Sequence, residues 1–229
     1  MPSTTEKIRG NRIRVRAVVF DYGLVLSLPQ QPLAMEKMAT LCGIELDRFS
    51  ELYWKFRLPY DRADLDGPSY WKTVAREAGV SLTGSQIDEL FPLDAWSWSR
   101  INPGSSRWVK QLHGAGFRMA LLSNMPLEIS RYLTVHDSWH SSFDHLVFSC
   151  DVRRVKPEPE IYHDCLKKLQ AEPQEVLFLD DRPENVEAAN RLGIHGVLFD
   201  TIEKTVARVA ERFDVPAPEI AEGSPDSSE

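Results

Sequence analysis

The stretch that decides the fold is Val18-Val19-Phe20-Asp21-Tyr22-Gly23-Leu24-Val25-Leu26. It ends an apolar run over residues 15–20, whose β-branched and aromatic side chains predict a strand buried on both faces and therefore central in a parallel sheet. Ligands of open α/β sheets bind beyond the carboxyl ends of the strands, which is where this strand delivers Asp21. The carboxylate can act as a nucleophile or a metal ligand, or it can simply end the strand or cap a helix.

Apolar runs alternate with amphipathic segments after residue 100. The sequence predicts strands over 117–122, 146–149, 176–179 and 196–199, and helices over 103–115, 126–136, 159–169, 183–192 and 202–213. Strands that alternate with helices of about ten residues form βαβ units with parallel strands. We therefore expect an α/β protein whose Rossmann-like parallel sheet carries helices on both faces.

Residues 29–99 differ from the rest, because they show helical periodicity and no convincing strand. Helices are predicted over 34–41, 47–56, 70–78 and 83–90, so this segment is expected to form a small all-helical cap domain. Its many aromatic residues are expected mainly in its own core. The α/β core would then comprise residues 1–28 and 100–229, with disordered polar tails over 1–13 and 215–229.

The composition is that of a globular protein with an acidic balance. A net charge of −7 and a pI of about 5.5 argue against general affinity for nucleic acid, which requires a basic patch. The three cysteines are scattered, which fits a reducing compartment better than a disulfide framework or a zinc site. We find no apolar leader and no run long enough to span a membrane, so we expect a cytoplasmic protein that does not associate with membranes.

Polar groups also follow the later strands, at the same edge of the predicted sheet: Ser123 and Asn124, then Lys156, then Asp180 and Asp181. Taken singly, a serine can cap a helix, and a loop lysine is usually solvated. Two adjacent carboxylates repel each other, however, and a third carboxylate nearby strengthens their need for a cation. A hard cation with oxygen ligands meets that need, and Mg²⁺ is the usual one beside phosphate.

This set of groups suits phosphoryl transfer. Asp21 can attack phosphorus to form an aspartyl-phosphate, which water then hydrolyses. Mg²⁺ would neutralise the approach of the carboxylate to a phosphate dianion. Ser123, nearby backbone N–H groups and Lys156 would hold the oxygens on which charge develops.

Four motifs, in this order, resemble those of the haloacid dehalogenase (HAD) superfamily: Asp21-Tyr22-Gly23-Leu24-Val25-Leu26, Leu122-Ser123-Asn124, Lys156-Pro157-Glu158-Pro159-Glu160-Ile161-Tyr162 and Phe178-Leu179-Asp180-Asp181-Arg182-Pro183-Glu184-Asn185. The motifs cover residues from about 15 to 200 of the chain. The helical insert after the first motif resembles the C1 cap of that family. The resemblance therefore implies a HAD-like core with a C1 cap, and hydrolase activity of the phosphatase type.

The resemblance also implies roles for individual residues. Asp21 would be the nucleophile, and Ser123 and Lys156 would assist it. The groups that bind the substrate phosphate would be Ser123, Asn124 and Lys156. The implied Mg²⁺ ligands are Asp21, the backbone carbonyl of Gly23, Asp180 and Asp181, with Asp181 the more direct ligand of the pair.

One position departs from the family pattern. Family phosphatases usually carry a second aspartate two residues after the nucleophile, and here that position is Gly23. The general acid that is lost is typically worth about 10²–10⁴-fold in rate, so esters of ordinary alcohols would suffer most. The expected substrates are small phosphorylated metabolites with good leaving groups, such as sugar 1-phosphates, acyl phosphates or aryl phosphates. Alternatively the cap supplies the acid, with three candidates that are otherwise plain loop residues: Asp61, Asp64 and Asp66.

Two other functions fit the same scaffold. A 2-haloacid dehalogenase also uses an aspartate nucleophile without the second aspartate. The Asp180-Asp181 pair argues against it, because dehalogenation needs no metal and the pair would repel a carboxylate substrate. A catalytically weak HAD fold used for binding or regulation is supported only by the missing acid.

The cap is expected to close over the site and expel water. Its hinges would lie near residues 26–30 and 97–102. Trp54, Arg57 and Arg62 are candidates for contact with the substrate. We expect a monomer or a homodimer.

Overall fold

A five-stranded parallel sheet lies at the centre of the computed structural model, which describes residues 12–136 and 138–218. Its strands are β1 Ala17–Phe20, β2 Arg118–Ser123, β3 His145–Phe148, β4 Val176–Asp180 and β5 His195–Leu198. Their order is β3-β2-β1-β4-β5, so the chain builds one side of the sheet outward from β1 and then returns to the other side for β4. Asp21 therefore follows the strand at which the strand order reverses, where ligands of open sheets bind.

Helices connect the strands and form the insert after β1. In chain order they are α1 Pro32–Cys42, α2 Leu46–Lys55, α3 Arg57–Asp61, α4 Gly67–Glu77, α5 Gly84–Ser97, α6 Pro103–Gly114, α7 Leu127–His136, α8 Ser149–Val152, α9 Pro159–Leu169, α10 Pro183–Arg191 and α11 Ile202–Arg212. Parallel strands joined by helices confirm the predicted α/β class. No helix in the described ranges is both long enough and apolar enough to cross a membrane.

Both faces of the sheet are covered, because alternate residues of each strand enter different apolar cores. Phe20 packs among residues of α6 and α11, and its ring lies 5.6 Å from that of Trp108. Val19 points to the opposite face, where Ile161 of α9 and Ala189 of α10 cover it. A strand that is buried on both faces needs apolar side chains at every position, which explains the uninterrupted run in the sequence.

Helices α1 to α5 enclose a third apolar core, and most aromatic side chains of the insert lie in or against it. The rings of Phe49 and Trp71 stack with centroids 6.3 Å apart, and those of Tyr60 and Tyr70 stack at 4.3 Å. The cap therefore has a hydrophobic core of its own, separate from the two cores of the sheet.

Helix α5 extends beyond the predicted 83–90 segment and ends at Ser97, although it contains Pro92. Thr83 and Gln86 form a capping box at its start, which satisfies two of the free backbone N–H groups. Proline removes one backbone hydrogen bond from a helix. Burial of Leu90 before it and Ala95 after it keeps the helix continuous.

Two connections between the core and the cap run side by side as an antiparallel pair, which we call the ribbon: residues 26–31 and 97–102. The backbone N–H of Leu28 donates to Arg100, that of Asn102 donates to Leu26, and that of Gln31 donates to Ser97, over 2.8 to 2.9 Å. The predicted hinge segments thus bond to each other.

Glu128 at the start of α7 holds the cap against the core. Its carboxylate accepts hydrogen bonds from the Tyr60 hydroxyl at 2.9 Å and from the backbone N–H of Gly67 at 3.2 Å. The Ser149 hydroxyl donates to the backbone carbonyl of Asp61 at 2.6 Å across the same boundary between cap and core, which we call the seam. Polar contacts therefore fix the cap on this side, while Ala63 and Trp98 pack against the apolar core of the sheet.

The first residues of the tail predicted to be disordered, 215–229, pack on the core. Val215 is buried, and Trp108 and Gln111 of α6 donate to the backbone carbonyls of Pro216 and Ala217. Packing on α6 orders this segment despite its polar, proline-rich composition. Residues 1–11 and 219–229 of the predicted tails lie outside the described residues.

Candidate active site

A cleft of about 450 Å³ between the core and the cap collects the polar side chains that follow the strands. Six residues predicted for the site line it: Asp21, Gly23, Ser123, Asn124, Lys156 and Asp181. Asp180 is fully buried at the end of β4 and lies directly behind them. The parallel strands thus bring all the predicted site residues together at one edge of the sheet.

Lys156 forms the electrostatic centre of this group. Its ammonium lies 2.8 Å from a carboxylate oxygen of Asp21 and 2.6 Å from one of Asp180, and it donates to the carbonyl of Leu122 at 2.8 Å. Burial acts to lower the pKa of Lys156, but the charges of Asp180 and Asp21 outweigh it and the pKa is raised. Lys156 therefore carries its charge in a site from which water is largely excluded.

Asp21, the candidate nucleophile, has more negative than positive charge around it. Burial raises the pKa of Asp21 to about 7, although Lys156 acts in the opposite direction, and the negative charges of Asp180 and Asp181 contribute to the rise. One ammonium thus faces three carboxylates. A cation beside Asp21 would favour its charged form.

The three carboxylates have a geometry that fits Mg²⁺. One oxygen each of Asp21, Asp180 and Asp181 lies within 4.8 Å of the others. Oxygens on opposite sides of one Mg²⁺ lie about 4.2 Å apart, twice a metal–oxygen distance of about 2.1 Å. The two spacings are close, and carboxylate oxygens are the ligands that this ion prefers.

Asp180 and Asp181 differ in how far their oxygens are already engaged. Asp180 accepts hydrogen bonds from the backbone N–H of Arg182 and from the Asn185 side chain, both at 2.9 Å, besides its bond from Lys156. Asp181 is only partly buried and faces the cleft. Burial and the charge of Asp180 raise the pKa of Asp181. The arrangement favours Asp181 as the open ligand and Asp180 as the anchor of the lysine.

Two asparagines position these charged groups. The side chain of Asn124 exchanges two hydrogen bonds with the backbone of Lys156, at 2.8 and 3.0 Å. Asn185, in the first turn of α10, holds Asp180. Sequence reasoning gave Asn185 no role, although an amide one helical turn beyond a carboxylate pair at a strand end is a signal that could have found it.

The residues after Asp21 form a tight, irregular turn. It runs over Tyr22–Leu26 and contains Leu24 at φ 59°, in the left-handed region. Gly23 has ordinary dihedral angles, and a Cβ built on it would lie 3.6 Å from the ring of Trp98. The space in front of Gly23 is thus occupied by an indole ring from the ribbon.

The cap contributes some of the predicted residues to the cleft but not others. Trp54, Arg57 and Asp61 line it, and Asp61 accepts a hydrogen bond from Arg57 at 2.7 Å. Three other candidates lie elsewhere: Arg62 pairs with Glu158, Asp64 pairs with Arg153, and Asp66 caps α4. Burial raises the pKa of Asp61 despite the opposing charge of Arg57. Among the three predicted cap acids, only Asp61 reaches the cleft.

A model of the haloacid dehalogenase-like hydrolase family matches residues 15–193, which is most of the chain. The chain belongs to this family. The four sequence motifs had indicated it, and the match makes the protein a HAD hydrolase.

Curated relatives of this HAD hydrolase carry several names. A phosphatase of Mycobacterium tuberculosis is 26% identical over 197 residues, which are 83% of this chain and 90% of that protein. Rat bifunctional epoxide hydrolase 2 is 38% identical over 131 residues, which are 54% of this chain and 23% of that protein. Some relatives are much longer, since the chain spans 12% of mouse acyl-CoA dehydrogenase family member 10 and 31% of an Arabidopsis thaliana bifunctional riboflavin kinase/FMN phosphatase.

Solved structures share the fold of this HAD hydrolase at low sequence identity. A HAD family enzyme from Bacteroides thetaiotaomicron, solved in complex with magnesium and inorganic phosphate, has a TM-score of 0.66 at 18% identity and covers 81% of this chain and 94% of its own. A structure named as a dehalogenase has a TM-score of 0.60 at 22% identity and covers 79% of this chain and 82% of its own. At these identities, the similarities concern the fold alone.

Proposed function

We propose that this HAD hydrolase is a Mg²⁺-dependent phosphatase that acts on small phosphorylated metabolites through an aspartyl-phosphate on Asp21. The observation that carries the proposal is the meeting of Asp21, Lys156 and Asp181 in one cleft. A nucleophile, a fixed cation and an open carboxylate ligand are the parts that phosphoryl transfer needs.

In the first step, a carboxylate oxygen of Asp21 attacks phosphorus, and the bond between phosphorus and the leaving-group oxygen breaks. Lys156 holds the attacking carboxylate in place and balances charge on the phosphate oxygens. Ser123, which is buried at the end of β2 and lines the cleft, would donate to one of those oxygens. When bound by Asp21, Asp180 and Asp181, Mg²⁺ would supply positive charge to the phosphate.

In the second step, water attacks the phosphorus of the aspartyl-phosphate, inorganic phosphate leaves, and Asp21 is regenerated. Gly23 offers no side chain to protonate the first leaving group or to deprotonate this water. We therefore expect the rate of the first step to fall steeply as the pKa of the leaving group rises.

The names of the relatives support the phosphatase assignment over the alternative. The Mycobacterium protein is named as a phosphatase, and a sesquiterpene phosphatase of Aspergillus oryzae is 24% identical over 187 residues. The 2-haloacid dehalogenase alternative shares the fold, but an attack on carbon needs no metal and so gives Asp181, the carboxylate that faces the cleft, no task.

The test is an assay of phosphate release from para-nitrophenyl phosphate in the presence of Mg²⁺ or of EDTA, beside chloride release from 2-chloropropionate. We expect turnover of the phosphate ester with Mg²⁺, loss of turnover with EDTA, and loss in Asp21→Asn. Intact-mass spectrometry of an acid-quenched reaction should show one added phosphoryl group on the wild type and none on Asp21→Asn. Chloride release that is insensitive to EDTA, or silence in both assays with folded protein, would overturn the proposal.

A further inference from the structure

Apolar side chains form the part of the cleft that lies beyond the catalytic groups. Leu24, Trp54 and Leu58 each expose two fifths to half of their surface there, and the half-buried ring of Trp98 joins them. Large apolar side chains are rarely left this open, and when they cluster in one concave site they mark a place where an apolar group binds. We call these four residues the apolar wall.

The two indoles of the wall meet at a right angle. The rings of Trp54 and Trp98 have centroids 6.2 Å apart and an interplanar angle of 86°. Trp54 is backed by the ring of Tyr53 at 5.1 Å, and the indole N–H of Trp98 donates to the Tyr53 hydroxyl at 3.3 Å. Tyr53 thus supports both indoles from behind, and both line the cleft.

The turn after the nucleophile contributes to the same wall. Leu24 has φ 59° and ψ −6°, a conformation that bulky L-residues disfavour. It nevertheless carries an exposed apolar side chain beside Asp21. The turn therefore places an apolar group within reach of whatever is attached to the bound phosphate.

Charged residues of the cap at the cleft pair with one another. Arg57 pairs with Asp61 at 2.7 Å and with Asp94 at 3.6 Å. Because Arg57 and Asp61 are already engaged with each other, this side of the cleft is less available to a polar leaving group such as a sugar.

The space in front of Gly23 lies between the apolar wall and the nucleophile Asp21. It holds the ring of Trp98 instead of a proton donor. An apolar leaving group suits contact with this ring, and one that needs no proton is favoured, because Gly23 cannot supply a proton and Asp61 is already engaged by Arg57. A phenolate meets both conditions, because its negative charge is stabilised by its own ring.

From this geometry we infer that the substrate is an aryl phosphate whose ring lies against the apolar wall, with its phenolic oxygen bonded directly to phosphorus. The inference rests on the proposed function and specifies its substrate class. As the bond between Asp21 and phosphorus forms, the bond between phosphorus and the phenolic oxygen breaks. The electron pair leaves with the phenolate, which takes its proton from water.

The first experiment compares kcat/KM for three substrates with Mg²⁺: 2-naphthyl phosphate, octyl phosphate and acetyl phosphate. The aryl ester combines a ring with a good leaving group, octyl phosphate offers only apolar surface, and acetyl phosphate offers only a good leaving group. We expect the aryl ester to exceed both of the others by about tenfold or more, a magnitude at the upper end of ordinary aromatic contacts. A preference for octyl phosphate would point to an aliphatic chain instead and overturn the inference.

The second experiment uses variants of the wall. In Trp54→Ala and in Leu58→Ala, the ratio of kcat/KM for 2-naphthyl phosphate to that for acetyl phosphate should fall about five- to tenfold. Leu33→Ala is the matched control, because Leu33 and Leu58 are both cap leucines on helices, 51% and 49% exposed, and Leu33 lies outside the cleft. Its ratio should stay within about twofold of the wild type, and Trp54→Phe should restore much of the loss.

Binding supplies a readout that does not depend on turnover. Asp21→Asn titrated with phenylphosphonate and methylphosphonate should prefer the aryl compound, and the added Trp54→Ala change should remove the preference. Equal affinities, or turnover of acetyl phosphate without preference for the aryl ester, would overturn the subsite while leaving the phosphatase proposal standing. No phosphate release from any ester by folded protein would overturn both.

Discussion

Replacement of Lys156 by methionine tests how much of the stability of the site depends on one buried charge. Its ammonium lies 2.8 Å from Asp21 and 2.6 Å from Asp180, and the side chains of Lys156 and Asp21 are 2% and 10% exposed. Removal of the ammonium leaves buried carboxylates without their cation, which typically costs about 3–5 kcal/mol. The total free energy of unfolding of a domain is about 5–15 kcal/mol, so the loss is a large fraction of it.

An exposed ion pair with the same distance between its charged atoms is the natural control. Lys204 lies 2.8 Å from Asp200, but the two side chains are 66% and 49% exposed. Pairs in water contribute about 0.2–1 kcal/mol, because solvent screens the attraction. Lys204→Met should therefore destabilise the protein far less than Lys156→Met, even though the distance between the charged atoms is about the same.

The measurement is urea unfolding of the wild type and both variants with EDTA present, followed by tryptophan fluorescence and circular dichroism. Lys156→Met should lower the midpoint strongly at an unchanged slope, and Lys204→Met only slightly. Equal losses in the two variants would refute the argument that burial, rather than distance, decides what this lysine contributes. A stable Lys156→Met protein would also show that Asp21 and Asp180 are less enclosed than described.

Three further predictions concern the metal site, the seam and a helix cap. Mg²⁺ should raise the melting temperature of the wild type, since a ligand at 100 times its Kd stabilises by about 2.7 kcal/mol; Asp181→Asn should lose most of this shift in thermal melts, and an unchanged shift would exclude Asp181 as a ligand. Gly67→Ala should destabilise by about 1–3 kcal/mol, because a Cβ there would collide with Phe91 and lie 2.7 Å from Glu128. Gly84→Ala, which has open space, should be neutral or stabilising by up to about 1 kcal/mol, and similar unfolding curves for the two variants would contradict this. Hydrogen bonds from Ser69 lower the pKa of Asp66, so the stability that its carboxylate contributes is present above the ordinary pKa near 3.8 and is lost as the pH falls below it. Asp66→Ala should therefore cost about 1 kcal/mol at pH 7 and progressively less towards pH 3 in urea titrations. A cost that is constant with pH would show that the carboxylate does not cap α4.

The sheet and the groups at its edge could be predicted because they follow from strong local rules. Doubly buried strands require continuous apolar sequence, and parallel strands share a carboxyl edge, so residues far apart in the chain meet there. Asp21, Ser123 and Asp181 were found in this way. Asp180 was identified as well, but its hydrogen bond from Asn185 was missed, although an amide one helical turn beyond the carboxylate pair was a signal for it.

The cap shows where such reasoning stops. A helix was predicted over 47–56, but the structure has a separate short helix over Arg57–Asp61 after it. The break between the two helices allows Arg57 and Asp61, the first and last residues of the short helix, to line the cleft. Ser149 was predicted to end a strand, and instead it begins α8 and donates to the carbonyl of Asp61. Contacts across the seam decide both positions, and no local pattern in the sequence encodes them.

The ribbon of residues 26–31 and 97–102 has a consequence for any movement of the cap. Because the two segments are bonded to each other, we expect them to bend together and to restrict the cap to movement about one axis. Trp98 lies within the ribbon and rests on Gly23, only two positions beyond Asp21. We therefore expect an opening movement of the cap to withdraw this indole from Gly23, so that the surface proposed to select the substrate would form only when the cap closes.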